Sequence, residues 1–302
     1  MTRRAPVDRA GWLEWRRQGL GATDVVAIVG LSRWATPFSV WAEKTGRTPI
    51  DDTVPSVEAE FGLRAEAMLA PWFGELTGYH ARKWQHRAHH RDWRVGRATL
   101  DALVFRTRRS AAPLGPLELK TTDRQPDWTA ETFPLDYLAQ CQWQMEVTDT
   151  DRAWLFALHG RRPVIYPVER DLDDGAWLLD AARRFWRDHV EGDRPPPVHV
   201  APMHVTTEAL ARMHRIEGAA VELDGGELDL VRRVVATRQH ATHAKKAAEA
   251  AANDLKARLG DGEIATYLGQ PVATYLRRHR KGYTVDPTTY RQLDIRWKEP
   301  TP

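Results

Sequence analysis

The segment "GPLELKTTD" at residues 115–123 constrains the chain most, because in "LELK" Leu117 and Leu119 alternate with Glu118 and Lys120. Strand side chains alternate between faces, so the pattern predicts a β-strand with leucines on one face and a carboxylate–amine pair on the other. A strand apolar enough to be buried must satisfy those charges. Two arrangements do so: a structural ion pair at a strand end, or a metal-dependent phosphodiester-cleaving centre.

The surrounding pattern predicts an α/β chain. Residues 8–29 read as helix, tight turn, helix, with Thr23 and Asp24 suited to cap the second helix. A short helix is expected at 36–46, then a long amphipathic one over 57–78 whose apolar stripe takes in Phe61, Ala65, Leu69, Trp72, Phe73 and Leu76. Strands follow near 82–87, 93–105 and 116–121, the last two as a hairpin around the arginine-containing loop 106–115. A helix at 135–148, strands in "AWLFALHG" and "VIYPVER", and a helix at 172–192 complete this part. It ends at "EGDRPPP". Domains are therefore expected at 1–198 and 199–302. The second comprises a short helix (206–215), an alanine-rich helical arm (226–259) and a small β-hairpin turning at "LGQP".

Composition narrows the class. With 42% hydrophobic and 28% charged residues the chain is globular rather than disordered. Its one cysteine, Cys141, makes no internal disulfide and cannot alone hold zinc or an iron–sulphur cluster. No apolar h-region opens the sequence and no run nears the roughly 20 apolar residues of a membrane helix. A cytoplasmic protein without a membrane partner is expected. A net charge of +3 leans weakly towards an acidic partner, and "RTRRS" (106–110) and "RRHRK" (277–281) suit either phosphate contacts or a solvated surface.

Two acidic positions bear on the "LELK" strand. In "VGRATLDALVF", Ala98, Leu100, Ala102 and Val104 are expected to face the core, leaving Arg97, Thr99 and Asp101 opposite. Asp101 and the Glu118/Lys120 pair then project from neighbouring strands into one cleft. Glu66 lies on the long helix beside Leu69 and Phe73, at the edge of the stripe. Three carboxylates and a lysine at a sheet edge suit Mg²⁺, which takes hard oxygen ligands and is completed by substrate phosphate. The lysine would orient or deprotonate the attacking water; as a base it would need a depressed pKa. On spacing alone the D-x16-E-x-K pattern is weakly specific.

Five ordered blocks add specificity: "WRRQGLGATDVVAIVGLSRWATPFSVWAEKTG", "FGLRAEAMLAPWFGELTG", "GRATLDALV", "LELKT" and "YLAQCQWQMEVTDTDRAWLFAL". Together they resemble the YqaJ/lambda-exonuclease branch of the PD-(D/E)XK nucleases, the phage-type recombination exonucleases, over most of residues 12–192. The resemblance implies a restriction-endonuclease-like core, a mixed central sheet flanked by helices, with a mainly helical C-terminal extension ending in the hairpin. It implies metal ligands at Glu66, Asp101, Glu118 and the Leu119 carbonyl, with Lys120 as catalytic lysine and Mg²⁺ as cofactor, one or two ions, Mn²⁺ substituting. Gln140 matches the family's helical glutamine. Arg17, Thr23 and Asp24 lie in the block that helps bind a terminal 5′-phosphate. Among the tryptophans, Trp34 in "LSRWATP" is the one to which a DNA-facing role is open. Departures are Ala67 where proline is frequent, Thr23 for serine, and a long 106–115 loop.

The implied activity is 5′→3′ degradation of one strand at linear double-stranded DNA ends, leaving 3′ overhangs for recombination. The implied partner is a single-strand annealing protein; relatives also form rings, so a homo-oligomer is an alternative state, in the bacterial host cytoplasm if the chain is phage-encoded. The rival readings are an endonuclease of the same superfamily and a catalytically silent DNA-binding protein. Decoys are weighed the other way. His86, His89 and His90 are expected at the surface or on phosphate, His240 and His243 on a solvated face, and Trp72, Trp143, Trp154 and Trp186 in the core.

Overall fold

The computed structural model describes residues 9–48, 57–82, 85–122, 133–200, 202, 205–207, 209, 210, 222–260, 262–268 and 270–275. Two compact units divide the chain at 215/216, beyond the proline-marked boundary at 198/199. Residues past the prolines still attach to the first unit. Thr206 Oγ1 lies 3.0 Å from Thr36 Oγ1, and Ala209 is buried in that unit's core.

The first unit opens with helices α1 (Arg9–Arg17), α2 (Ala22–Ile28), α3 (Pro37–Lys44) and α4 (Val57–Thr77). Strands β1 (His80–Arg82), β2 (His86–His89), β3 (Arg97–Leu100), β4 (Ala102–Phe105) and β5 (Gly115–Thr122) follow, then α5 (Leu135–Thr148), β6 (Arg152–His159), β7 (Arg162–Glu169) and α6 (Leu172–Phe185). A π-helical turn, Trp186–Glu191, continues α6 to the end expected from sequence.

The fold is mixed α/β. A five-stranded sheet runs β1-β4-β5-β6-β7, with β5 and β6 parallel and every other neighbouring pair antiparallel. Parallel neighbours need a crossover, and α5 lies in the chain between β5 and β6. The expected hairpin of β4 and β5 is present, in register Ala102↔Leu117 and Val104↔Gly115. Gly115 is required there, since a Cβ would run into the Arg152 backbone.

The two faces of β5 meet different helices. Leu117 and Leu119 pack with Ala65, Leu69, Ala70 and Phe73 of α4, together with Trp154 and Phe156. On α5, Cys141 and Met145 pack with Ala153, Leu155 and Ala157 of β6. The α4 stripe is narrower than expected: Phe61 and Leu76 are exposed, and the buried face is Ala65, Glu66, Leu69, Ala70 and Phe73. Its i, i+4 spacing suffices to cover the sheet.

Two further expectations change. Gly21, not Thr23 or Asp24, is the N-cap of α2, and Asp24 sits in the first turn with Oδ2 accepting the Gly21 N–H at 2.9 Å. The strand expected over 93–105 is two strands, broken at Asp101, with β3 paired to β2 and β4 to the main sheet. Ala98 and Leu100 pack with Val25, Trp41 and Trp143, whereas Ala102 and Val104 pack under α4. They do not share one face. The bend interrupts the two-residue period, so the apolar set changes face across it.

In the second unit, α7 (Gly225–Leu259) is capped by Asp224, whose Oδ1 accepts the Glu227 N–H at 2.8 Å. None of its described residues is buried. Strands β8 (Ile264–Tyr267) and β9 (Gln270–Thr274) form the expected hairpin. Of the helix expected at 206–215, residues 206, 207, 209 and 210 are helical; 208, 211–215 and the "RRHRK" run lie outside the described residues. No helix among the described residues is long and apolar enough to cross a membrane.

Candidate active site

Asp101 occupies the bend between β3 and β4. The β4–β5 ladder ends at Ala102↔Leu117, and beyond it the Leu119 N–H donates to Asp101 Oδ2 at 2.8 Å instead of to a strand. The amide and carbonyl of one extended residue point to the same edge. The Leu119 carbonyl therefore faces the gap that Asp101 borders.

Glu118 and Lys120 turn to the α5 side. Lys120 Nζ lies 2.5 Å from Glu118 Oε1, and the Gln144 side-chain amide donates to Glu118 Oε2 at 2.6 Å. Lys120 Nζ also sits 5.2 Å from the centre of the Tyr137 ring. Glu66, buried on α4, accepts the Gln85 side-chain amide on Oε2 at 3.1 Å. Gln85 is left-handed at φ 51°, and its backbone N–H donates to the Asp101 carbonyl at 3.3 Å. Strand, bend and helix thus converge through short polar links.

The electrostatics are those of crowded acids around one cation. Burial pushes the Asp101 carboxyl well above its usual range; Glu118 and Glu66 push the same way, and Lys120 only partly opposes them. Burial alone would depress Lys120, but Glu118 and Asp101 outweigh it and hold the ammonium above its ordinary value. In the metal-free protein the lysine is thus a cation, not a base. Burial likewise raises the Cys141 thiol, which leaves it unreactive.

Among the described residues no three His, Cys, Asp or Glu side chains gather as a ready metal cluster. Each site carboxylate instead engages a protein donor. The donor chemistry nevertheless fits a hard divalent cation, with three carboxylates and a carbonyl, all oxygen, around a single lysine.

The block expected to meet a 5′-phosphate is organised differently from its sequence reading. Asp24 faces inward: Lys44 Nζ, with a side chain 0% exposed, is 2.8 Å from Asp24 Oδ2, and Arg16 Nη2 is 3.2 Å from Oδ1. Burial alone would raise the Asp24 carboxyl, but Lys44 and then Arg16 bring it down to about 2. Arg17 donates to the Thr48 carbonyl at 3.1 Å, so Arg16 is the arginine that this carboxylate holds. Thr23 is exposed. Trp34 is 72% exposed, in a loop tied to the first turn of α5 by Arg33 and Asp136, 3.4 Å apart. Gln140 is buried on α5, one turn before Gln144.

Two residues at the site escape the sequence reading, Gln85 and Gln144. The first falls inside the strand expected near 82–87, where nothing in the sequence singles it out. The second is one of three alternate glutamines in "AQCQWQM", where i, i+4 spacing already puts it on the Gln140 face. The histidine decoys are structural: His89 Nε2 accepts the Trp15 indole N–H at 3.3 Å, and His90 Nε2 lies 3.3 Å from Glu146 Oε1. Trp143 and Trp154 are buried, as expected.

Among solved structures, an alkaline exonuclease (LHK-Exo) from Laribacter hongkongensis is similar at 17% identity and a TM-score of 0.47, covering 61% of this chain and 94% of that one. A phage related exonuclease from Haemophilus somnus 129PT is similar at 12% identity and a TM-score of 0.42, covering 61% and 100%. The uncharacterized protein YqaJ of Bacillus subtilis (strain 168) is 24% identical over 270 residues, 87% of this chain and 82% of the relative. Residues 11–151 match the model of the YqaJ-like viral recombinase domain. Over those residues the chain is similar to YqaJ-like viral recombinase domains.

Proposed function

We propose that this chain is a Mg²⁺-dependent deoxyribonuclease with a PD-(D/E)XK core, an exonuclease that degrades one strand of linear double-stranded DNA. The observation that carries the reading is the 2.8 Å bond from Leu119 N–H to Asp101 Oδ2, which sets Asp101 beside the Glu118–Lys120 strand. Binding DNA gains nothing from buried anions near phosphate, whereas cleavage needs them. The match of residues 11–151 to the YqaJ-like viral recombinase domain supports the same reading.

Glu66, Asp101, Glu118 and the Leu119 carbonyl would hold Mg²⁺, or Mn²⁺ in its place. Bound there, the metal supplies charge neutralisation at the scissile phosphate and a lower pKa for water. Lys120, an ammonium against Glu118 in the metal-free protein, would orient the attacking water. Water adds to phosphorus, the bond to the 3′-oxygen breaks, and that oxygen leaves as a hydroxyl. Arg17, Thr23, Trp34 and Gln140 bear on the DNA, while Asp24 acts through Arg16, which it holds at 3.2 Å.

In the recombination role, polarity is 5′→3′, and the 3′ overhang passes to a single-strand annealing protein in the host cytoplasm. Residues 1–198 carry the nuclease, and 199–302 serve assembly or partner contacts. The test is a time course on linear duplex labelled at either end, with Mg²⁺ or EDTA, for wild type and Lys120→Ala, beside a closed circle. Loss from 5′ ends alone, abolished by EDTA and by the substitution, is expected. Cutting of the circle would make the chain an endonuclease. Binding without cleavage, equal in both proteins, would leave only a DNA-binding protein.

A further inference from the structure

We infer that Gln144 is a positioning residue that fixes the Glu118 carboxylate for metal binding, an inference that rests on the nuclease reading above. Glu118 is held at both oxygens. Lys120 takes Oε1 at 2.5 Å, and the Gln144 amide takes Oε2 at 2.6 Å. The Gln144 side chain thereby selects one rotation of the carboxyl group within a buried strand.

The comparison within α5 separates this glutamine from a structural one. Gln142 uses both ends of its amide: Nε2 donates to the Glu169 carbonyl at 2.9 Å, and Oε1 accepts the Asp171 N–H at 3.0 Å. That is how a buried glutamine holds a fold together. Gln144 is 2% exposed, yet its Oε1 is buried with no hydrogen-bond partner among the described residues. A buried amide with one end unsatisfied is unfavourable to folding, and an apolar side chain of the same length would avoid the cost. What the amide contributes is its bond to Glu118.

The chemistry of an amide suits that task. An arginine or lysine at 144 would orient Glu118 but also neutralise it, weakening it as a ligand. A second carboxylate would repel it. The neutral donor fixes the geometry and leaves the negative charge for the cation. Partners of this kind set the orientation of the ligand itself, and their loss typically lowers metal affinity by about 10–100-fold.

The test uses the full chain and Mn²⁺ as probe, titrated calorimetrically into wild type, Gln144→Met and Gln144→Asn in metal-stripped buffer. Thermal midpoints in EDTA are measured on the same proteins. Gln144→Met is expected to bind Mn²⁺ about 10–100-fold more weakly; its metal-free midpoint gains from removing the unpaired Oε1 and loses from leaving Glu118 Oε2 without that donor, so the affinity is the deciding readout. Gln144→Asn, a methylene short of Glu118, is expected to lose affinity similarly and keeps the test open if the methionine variant does not fold. Unchanged Mn²⁺ affinity in the folded variants overturns the inference. So does a fall in midpoint without a fall in affinity, which marks a structural residue. If wild type itself binds no Mn²⁺, the nuclease reading falls and takes this inference with it; if only the variants' behaviour departs, the nuclease reading stands.

Discussion

Gln85 donates its side-chain amide to Glu66 Oε2 at 3.1 Å while its backbone N–H donates to the Asp101 carbonyl at 3.3 Å. One residue thus joins the α4 carboxylate to the bend that carries the strand carboxylate. It does so in the left-handed region, at φ 51°. For a residue with a Cβ that conformation costs roughly 1–2 kcal/mol.

The substitution Gln85→Gly separates the backbone from the amide. Glycine accepts the left-handed angle without strain but loses more entropy on folding, so stability should stay within about 1 kcal/mol of wild type. Cleavage should fall by roughly 10–100-fold, because the Gln85 amide no longer orients Glu66. Gln85→Ala keeps the strain, loses the amide, and should be both less stable and slow. Denaturant melts and cleavage rates on linear duplex decide it, and a fully active glycine variant would sink the idea.

Asp101→Asn should trade stability against activity. Burial, with Glu118 and Glu66 adding to it, holds the Asp101 carboxyl well above its usual range. A carboxyl raised on folding contributes stability fully below its unfolded value, near pH 3.9, and that contribution is lost as pH rises through the folded value. At neutral pH the group therefore costs stability in the absence of metal. Asparagine keeps an acceptor for the Leu119 N–H and removes the charge. In EDTA its thermal midpoint should exceed that of wild type at pH 7, with the gap closing towards pH 4, while cleavage falls at least ~100-fold. A variant less stable at pH 7 than wild type would contradict this.

Much of this site is legible in sequence because local pattern dictates it. The α5 helix spans 135–148 as expected, and β5 presents Leu117 and Leu119 to α4 and Glu118 to α5. The break at Asp101 is not legible. Alternation runs through "RATLDALVF" without a glycine or proline to interrupt it. The bend accompanies contacts from Gln85 and Leu119, which are distant in sequence. The choice between Gln140 and Gln144 is half legible. Both share a face, but which one meets Glu118 depends on how Cys141 and Met145 seat α5 on the sheet. Asp24 misleads for another reason. Its buried partner, Lys44, is twenty residues along and reads as an exposed helix charge.

Lys120 should remain an ammonium well into alkaline pH in the metal-free protein. Burial opposes the charge, yet Glu118 and Asp101 together raise it above the free-lysine value of about 10.4. NMR of ¹⁵N-labelled lysine in wild type, with Lys120→Arg to assign the signal, reads the titration directly. A midpoint near pH 8 would restore the lysine as general base and would reverse the orienting role given to it here.

The Asp24–Lys44 pair makes the last prediction one about acid. The Asp24 carboxyl would rise on burial alone, but Lys44 at 2.8 Å and Arg16 at 3.2 Å bring it to about 2. A carboxyl lowered on folding contributes stability that is present above its unfolded value, near pH 3.9, and is lost as pH falls towards the folded value. The contribution at neutral pH is about 2–3 kcal/mol. Asp24→Asn removes it, so the stability gap from wild type should be full at pH 7 and close between about pH 4 and pH 2, where protonation takes the Asp24 charge from Lys44 in wild type as the substitution does in the variant. Lys44→Met is harsher at neutral pH, since it removes the nearer cation and leaves the buried carboxylate to Arg16 and the Gly21 N–H, at a cost of up to about 3–5 kcal/mol. Joining it to Asp24→Leu should recover part of that loss. A gap between wild type and Asp24→Asn that stays constant from pH 7 to pH 2 would mean that Asp24 is not ionised in the fold. Arg16 would then lose the partner that holds it.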